Sequence, residues 1–234
     1  MIDKLNKENG GDYGVIIVQP LAGGLVDKLN AQDGRYSLYL RGLLKGEKVE
    51  ETRIVDCVTR GINPYTNTDE FFDCAKNPDL RFIVSNTTEA GIEYKPNQNP
   101  DDFNGLTFPG RLTLFMKKRF DEGLGGFILL PCELIDKNGD NLKECILKYS
   151  EDWGYGGEFE KWIETENHFT NTLVDRIVTG YPRDNAKEME QSYGYLDDMI
   201  DTAEIFHLWV IEGDKKLAEE IPFHKIGLNV LWTD

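Results

Sequence analysis

The chain has 234 residues, and 26 lysines and arginines against 42 aspartates and glutamates give it a formal net charge of −16. Hydrophobic residues make up 40% and charged residues 29%, a composition typical of a globular protein with a sizeable core. So acidic a surface repels phosphate backbones and anionic membranes, and no basic stripe offsets it, so we exclude nucleic-acid and membrane partners.

The first 14 residues contain no apolar stretch like that of a secretory signal, and the longest apolar runs are too short to span a bilayer. The cysteines at positions 57, 74, 132 and 145 include no C-x-x-C pair. We therefore expect reduced thiols and a cytoplasmic location. The histidines at 168, 207 and 224 have no metal-like spacing, so we expect no metal site.

Apolar periodicity predicts the secondary structure in chain order. The opening residues resemble the end of an amphipathic helix, stopped by Gly10 and Gly11. Strands are predicted at 14–18, 36–40, 53–59 (an edge strand), 80–84, 127–130, 171–180, 204–211 and 226–232. Helices are predicted at 68–76, 109–122, 141–153, 159–168 and 186–193, and a loop at 94–108. This alternation predicts an α/β fold with a mostly parallel sheet.

A polar segment, residues 85–89, leaves the end of the predicted strand at 80–84. Ligands of open parallel sheets bind outside the carboxyl ends of the strands, where hydroxyl and amide groups could hold a ribose or a phosphate. A plain polar turn is the alternative, and the same two interpretations apply to Glu133 after the strand at 127–130. The candidates in the first segment are Ser85, Asn86, Thr87, Thr88 and Glu89.

A charged pair, Asp175 and Arg176, stands between apolar residues. An aspartate beside an arginine is favoured in its charged form and could orient a substrate or a neighbouring base. A structural ion pair is the alternative interpretation.

Three segments occur in a fixed order: residues 82–92 (FIVSNTTEAGI), 130–139 (LPCELIDKNG) and 171–182 (NTLVDRIVTGYP). They resemble the polyol-specific long-chain dehydrogenases, the mannitol dehydrogenase family. Within it they are most similar to the subgroup that interconverts D-tagaturonate and D-altronate. The similarity continues through residues 201–204 and 228–231, and so covers essentially the whole chain.

The resemblance implies a Rossmann-like fold and an NAD-dependent oxidoreductase of hexuronate breakdown that acts on a small sugar acid. It implies that residues 85–89 lie along NAD near the nicotinamide end, and that Gln19 and Pro20 lie near the adenosine ribose. Gln19 stands where an acidic residue usually holds the ribose hydroxyls. Asp175 matches the family's active-site aspartate. Glu133 and Arg176 are implied on the substrate side. Arg176 and Arg183 are the candidates for holding the sugar-acid carboxylate, and a structural role is the alternative for each.

The sequence also departs from the family. Leu134 replaces an asparagine that polarises the substrate carbonyl in many members, and the glycine-rich pyrophosphate loop, the first strand and the catalytic lysine are not found. We therefore expect residues 1–234 to be an incomplete Rossmann-like NAD-binding domain, with 176–234 leading towards a helical C-terminal domain. The alternatives are an inactive domain that self-associates through an exposed sheet edge or binds a partner, and a sugar-acid or nucleotide-binding module without redox chemistry.

Overall fold

The computed structural model describes residues 1–44 and 46–234. The α-helices are α1 (Ile2–Asn9), α2 (Val26–Ala31), α3 (Thr68–Ala75), α4 (Phe108–Asp121), α5 (Asn138–Asp152), α6 (Gly157–Glu166) and α7 (Ala186–Tyr193). The strands are β1 (Val15–Val18), β2 (Tyr36–Leu44), β3 (Glu47–Val55), β4 (Val58–Ile62), β5 (Phe82–Ser85), β6 (Ile128–Pro131), β7 (His168–Phe169), β8 (Asn171–Asp175), β9 (Asp201–Glu204), β10 (Leu208–Glu212) and β11 (Val230–Thr233). Within the described ranges, no helix has the length and apolar character needed to cross a membrane.

The chain folds into two compact units, each built from three segments. The first unit comprises Met1–Asn63, Asp175–Leu208 and Ile221–Val230. The second comprises Pro64–Val174, Trp209–Glu220 and Leu231–Asp234. The chain therefore passes five times from one unit to the other.

The first unit contains two small sheets. β1 pairs in parallel with β4, and β2 lies between an antiparallel partner, β3, and a parallel partner, β9. Buried Leu29, Val55 and Val58 form a core against which the apolar side chains of β1 and β2 pack. This packing explains why the short apolar run of β1 forms a strand, since Val15 and Ile17 pack against this core.

The second unit is organised around β6, whose four residues are all buried. β6 lies between β5 and β7 and is parallel to both. The helices α4, α5 and α6 supply fully buried aromatic and aliphatic side chains to the same core: Met116, Ile146, Tyr149, Phe159 and Ile163. The continuously apolar sequence of β6 is typical of a central strand. A further sheet has the order β11-β10-β8.

The predicted α/β fold with mostly parallel pairing and flanking helices is confirmed, as are most predicted elements. α1 ends at Gly10, whose φ of 65° is the left-handed conformation expected of a helix-stopping glycine. The strand predicted at 53–59 is wrong in one respect, because β3 ends at Val55 and β4 begins at Val58. The chain changes partners there: the Cys57 carbonyl accepts a hydrogen bond from the Val15 amide, which starts the pairing with β1.

Candidate functional site

The carboxyl ends of β5 and β6 lie side by side in the second unit. Their parallel register pairs Ser85 with Pro131, and the Cys132 amide donates to the Ser85 carbonyl at 2.7 Å. The segments that follow the two strands therefore leave the sheet at the same edge. This edge is where ligands of open parallel sheets bind.

Glu133 joins the two segments through its carboxylate. Only 1% of the residue is exposed, and its carboxylate accepts three hydrogen bonds from residues of the other segment. The Ser85 hydroxyl donates to Oε2 at 3.0 Å, and the Thr87 amide and hydroxyl donate to Oε1 at 2.9 and 2.8 Å. Charge-assisted bonds of this kind are stronger than neutral ones, so Glu133 fixes the course of the chain after β5.

Residues 85–91 form a tight turn, called here the β5 turn. Thr88 has a φ of 69°, the left-handed region that a threonine rarely adopts, and such strain is often found at functional sites. A Cβ added to Gly91 would lie 1.8 Å from the Thr87 hydroxyl oxygen, so only glycine fits at this close approach. Asn86, Thr88 and Glu89 are exposed and present polar side chains beside the buried Glu133 pairing.

Asn138, the first residue of α5, fastens the segment after β6 to β8. It is fully buried, and its side-chain amide nitrogen donates to the carbonyls of Pro131, Glu133 and Thr172 at 2.9–3.0 Å. Its side-chain oxygen accepts from the Thr172 amide at 2.8 Å. A buried amide with so many backbone partners holds three chain segments at fixed distances, and so holds the backbone of Glu133 in place.

Cys132 lies inside this same edge and is 8% exposed. Burial raises the pKa of its thiol to about 11. Because the thiolate is the reactive form, this cysteine is a packing residue rather than a nucleophile. No disulfide joins the four cysteines, all of which lie in the described part of the chain.

Gln19 follows β1 in the first unit and is 4% exposed. Its side chain turns back on the loop that it begins: its amide nitrogen donates to the carbonyls of Leu21 and Ala22 at 2.6 and 3.0 Å. Its side-chain oxygen accepts from the Val26 amide at the start of α2. Pro20, next in the chain, is exposed. Gln19 therefore shapes the loop between β1 and α2. The exposed surface of this loop includes Pro20.

Asp175 and Arg176 belong to the first unit, at and just beyond the end of β8. Asp175 is exposed. The Arg176 guanidinium is half-buried and donates twice to the Glu204 carbonyl, at 3.1 and 3.0 Å. Burial lowers the pKa of Arg176 from its usual value. The two neighbours thus differ: Arg176 is anchored to the backbone of β9, and Asp175 faces solvent.

Two residues of the site were not singled out from the sequence, Asn138 and Gly91. Both lie inside segments that resemble the family, but neither stands out by chemistry. Their importance comes from distances to residues far along the chain, such as Thr172, which no local pattern reveals. Among the residues described, no group of three or more histidine, cysteine, aspartate or glutamate side chains could hold a metal ion.

The mannitol dehydrogenase Rossmann domain is the family whose model matches residues 1–225. The chain therefore belongs to the mannitol dehydrogenase family, as the three motifs indicated. Among its curated relatives is the altronate oxidoreductase of Cronobacter sakazakii (strain ATCC BAA-894), which is 45% identical over the whole chain. The altronate oxidoreductase of Shigella flexneri is also 45% identical over the whole chain. In both comparisons the chain spans 49% of the relative, or about half its length.

Two solved structures share the fold. D-sorbitol dehydrogenase in its substrate-free form matches 99% of this chain and 49% of its own with a TM-score of 0.78 at 23% identity. The Pseudomonas fluorescens mannitol 2-dehydrogenase, in a ternary complex with NAD and D-mannitol, matches 99% of this chain and 48% of its own with a TM-score of 0.78 at 19% identity. The predicted Rossmann-like fold is therefore confirmed.

Proposed function

We propose that this chain provides the NAD-binding surface, and part of the substrate-binding surface, of an oxidoreductase that interconverts D-tagaturonate and D-altronate. The observation that carries the proposal is the β5 turn, fastened by Glu133 at the shared carboxyl edge of two parallel strands. Family membership and the 45% identity to altronate oxidoreductases support the choice of reaction.

The residues at this edge can hold a ligand through hydrogen bonds. Asn86 and Thr88 are exposed on the β5 turn and carry amide and hydroxyl groups that can bond to a ribose or a carboxamide. They lie on a turn held by buried bonds, so little ordering is needed on binding. In this proposal Ser85, Thr87 and Glu133 position the turn, and Asn86, Thr88 and Glu89 face the cofactor.

For the adenosine end we propose the loop after β1, with Pro20 on its surface and Gln19 beneath it. The side-chain amide of Gln19 is already bonded to Leu21 and Ala22, so its contribution is to hold the loop in shape. A neutral residue in place of an acidic one removes the usual carboxylate contact with the ribose hydroxyls. We therefore expect weaker discrimination between NAD and NADP than an acidic residue would give.

For the substrate we propose Asp175 and Arg176. NAD, when bound, supplies the hydride acceptor, and the protein's own residues must orient the sugar acid. Asp175 is exposed and can accept hydrogen bonds from hydroxyl groups. Arg176 is held to β9 through the Glu204 carbonyl, which orients a guanidinium suited to a carboxylate.

An NADH titration of the 234-residue chain tests the cofactor part of the proposal. Energy transfer from the tryptophans to the reduced nicotinamide should rise with NADH concentration and saturate. Added NAD⁺, which is not fluorescent, should compete with NADH for the site and lower this signal. A folded chain with no saturable signal would contradict the proposal. Circular dichroism on the same sample shows whether the chain is folded.

The reaction is tested in a full-length protein that carries this chain. Oxidation of NADH by tagaturonate should be lost on Asp175→Asn, and binding of NADH should remain. A folded full-length protein that binds NADH but turns over no hexuronate would favour a binding module without redox chemistry over the proposed enzyme.

A further inference from the structure

Glu133 is a buried carboxylate that has no cationic partner in the described part of the chain. It is 1% exposed, and its three hydrogen-bond donors, the Ser85 hydroxyl and the amide and hydroxyl of Thr87, are all neutral groups. Within residues 1–44 and 46–234, no lysine, arginine or histidine forms an ion pair with it. Buried carboxylates are usually paired with a cation, because leaving water is unfavourable for a charged group.

Three donors of the β5 turn surround the Glu133 carboxylate. An amide N–H can only donate, so Oε1 must accept from Thr87, and the two hydroxyl groups donate as well. All three bonds end on the carboxylate oxygens, so the charge of Glu133 lies directly beneath the β5 turn.

We propose that this charge makes the site favour the oxidised cofactor over the reduced one. The inference rests on the proposed function, which brings the nicotinamide end of NAD to the β5 turn. The nicotinamide ring is cationic in NAD⁺ and neutral in NADH, so only NAD⁺ gains from a nearby anion. In a buried setting the effective dielectric constant is low, and this attraction is much stronger than it is in water.

The charge can be removed with little change in shape. In Glu133→Gln the side-chain oxygen can still accept from the amide and hydroxyl of Thr87. The new amide nitrogen can donate to the Ser85 hydroxyl, which is able to accept. Glu133→Asp is the complementary variant, because it keeps the charge and shortens the side chain. Glu164→Gln, on the exposed surface of α6, is a matched carboxylate-to-amide control away from the site.

The experiment measures dissociation constants of NAD⁺, NADH and ADP-ribose for the wild-type chain and the three variants by calorimetry. ADP-ribose lacks the nicotinamide ring, so its affinity reports the integrity of the rest of the site. In Glu133→Gln the ratio of the NAD⁺ to the NADH dissociation constant should rise about tenfold, of the order expected for one charge in a protein interior. The ADP-ribose affinity should stay within about twofold of wild type. In Glu133→Asp and Glu164→Gln the ratio should not change.

An unchanged ratio in folded Glu133→Gln would overturn the inference and leave the proposed function standing. A ratio that shifts equally in Glu133→Asp would also overturn it, because geometry rather than charge would then be responsible. If Glu133→Gln does not fold, Glu133→Ala removes the same charge and is measured in its place, with the same expected rise in the ratio and the same contradicting result. Wild-type chain that is folded but binds none of the three ligands would overturn the proposed cofactor function itself, and the inference with it.

Discussion

Arg119 shows how a single charged side chain can organise a fold. It is 2% exposed, and its guanidinium lies 4.7 Å from the centre of the Phe127 ring. Its donors bond to four backbone carbonyls at 2.5–3.2 Å, those of Ala75, Asn77, Leu80 and Gly125. Burial lowers the pKa of this guanidinium from its usual value. These bonds tie the segments that enter β5 and β6, and therefore support the edge where the candidate site lies.

Replacing Arg119 with methionine should strongly destabilise the chain. Four backbone carbonyls would lose a donor; that of Ala75 is buried and the other three are part-buried, and a buried group left unsatisfied costs roughly 1–3 kcal/mol. We expect a loss of about 3–5 kcal/mol in the free energy of unfolding, measured by urea denaturation. Lys118→Met removes only a half-exposed pair with Glu122 and should cost less than about 1 kcal/mol. Equal losses in the two variants would contradict this role for Arg119.

His207 gives the first unit a pH-dependent stability. Its Nε2 accepts from the Asn229 amide at 3.1 Å, and its Nδ1 lies 3.3 Å from the Ile205 carbonyl, so the neutral ring with hydrogen on Nδ1 satisfies both. Burial lowers the pKa of His207 from 6.5. Below pH 6.5 the unfolded chain therefore binds a proton that the folded chain does not, so stability falls as the pH falls.

We expect the urea midpoint to decrease as the pH is lowered from 6.5 to 5.5. His207→Gln cannot take up the proton and should remove the part of this decrease that belongs to His207. A variant with the same slope as wild type over this interval would show that other groups cause it.

For individual residues, the sequence predicts which polar side chains belong to the site, but it does not predict which of them bond to one another. Ser85, Thr87 and Glu133 are candidates from position alone, because they lie just beyond the predicted ends of two strands. Their direct bonding depends on the register of β5 against β6, and no pattern within either segment encodes that register. Gln19 illustrates the same limit, since a glutamine at a strand end is compatible both with ligand contact and with the loop-holding role it has in the fold.

The β5 turn is the element on which the site depends. Gly91 closes it with a hydrogen bond from its amide to the Thr88 carbonyl at 3.0 Å. A Cβ at this position would also lie 2.5 Å from the Thr87 carbonyl oxygen, which is backbone and cannot rotate away. A larger residue must therefore open the turn and displace Thr87 from Glu133.

Gly91→Ala should weaken NADH binding by at least about tenfold and cost about 1–3 kcal/mol of stability, the usual range for overpacking. The measurement is a fluorescence titration together with urea denaturation. Gly125→Ala is the control, because nothing lies within 4 Å of the added Cβ. If Gly91→Ala bound NADH as wild type does, the geometry of the turn would not matter for the cofactor.

Among the elements, sequence periodicity identifies β1, β6, α3, α4 and α7 because each has one strong apolar pattern and clear ends. It does not identify α2, a six-residue helix whose start is fixed by the Gln19 side chain rather than by a capping residue of its own. It also merges β3 with β4, since both are rich in β-forming residues. The break between them arises because β3 pairs with β2 whereas β4 pairs with β1. The sequence of this segment alone does not show that change of partner.

For the whole molecule, charge and exposed apolar surface act against each other. The net charge of −16 opposes contact between copies, whereas Leu43 and Leu196 are 72% and 87% exposed. Electrostatic repulsion is screened by salt, and the Debye length falls from roughly 20 Å at low ionic strength to a few ångströms near 1 M. Salt should therefore favour self-association.

Sedimentation velocity at 20 mM and 500 mM NaCl tests this balance. We expect a monomer at low salt and larger species at high salt, reduced in Leu196→Asp. A single sedimentation coefficient at both salt concentrations would show that the exposed leucines do not drive association.

The five passages of the chain between the two units have a consequence during protein synthesis. The β2–β3 hairpin is complete once residue 55 is made, but β9, which pairs with the other side of β2, begins only at Asp201. At roughly 5–20 residues per second, the ribosome needs about 7–30 s to supply it. Throughout that interval one edge of β2 is without its native partner on the nascent chain. Chaperone binding to this edge, and the rate of translation between β2 and β9, should therefore affect the yield of folded protein. The stability of the finished fold alone does not report these effects.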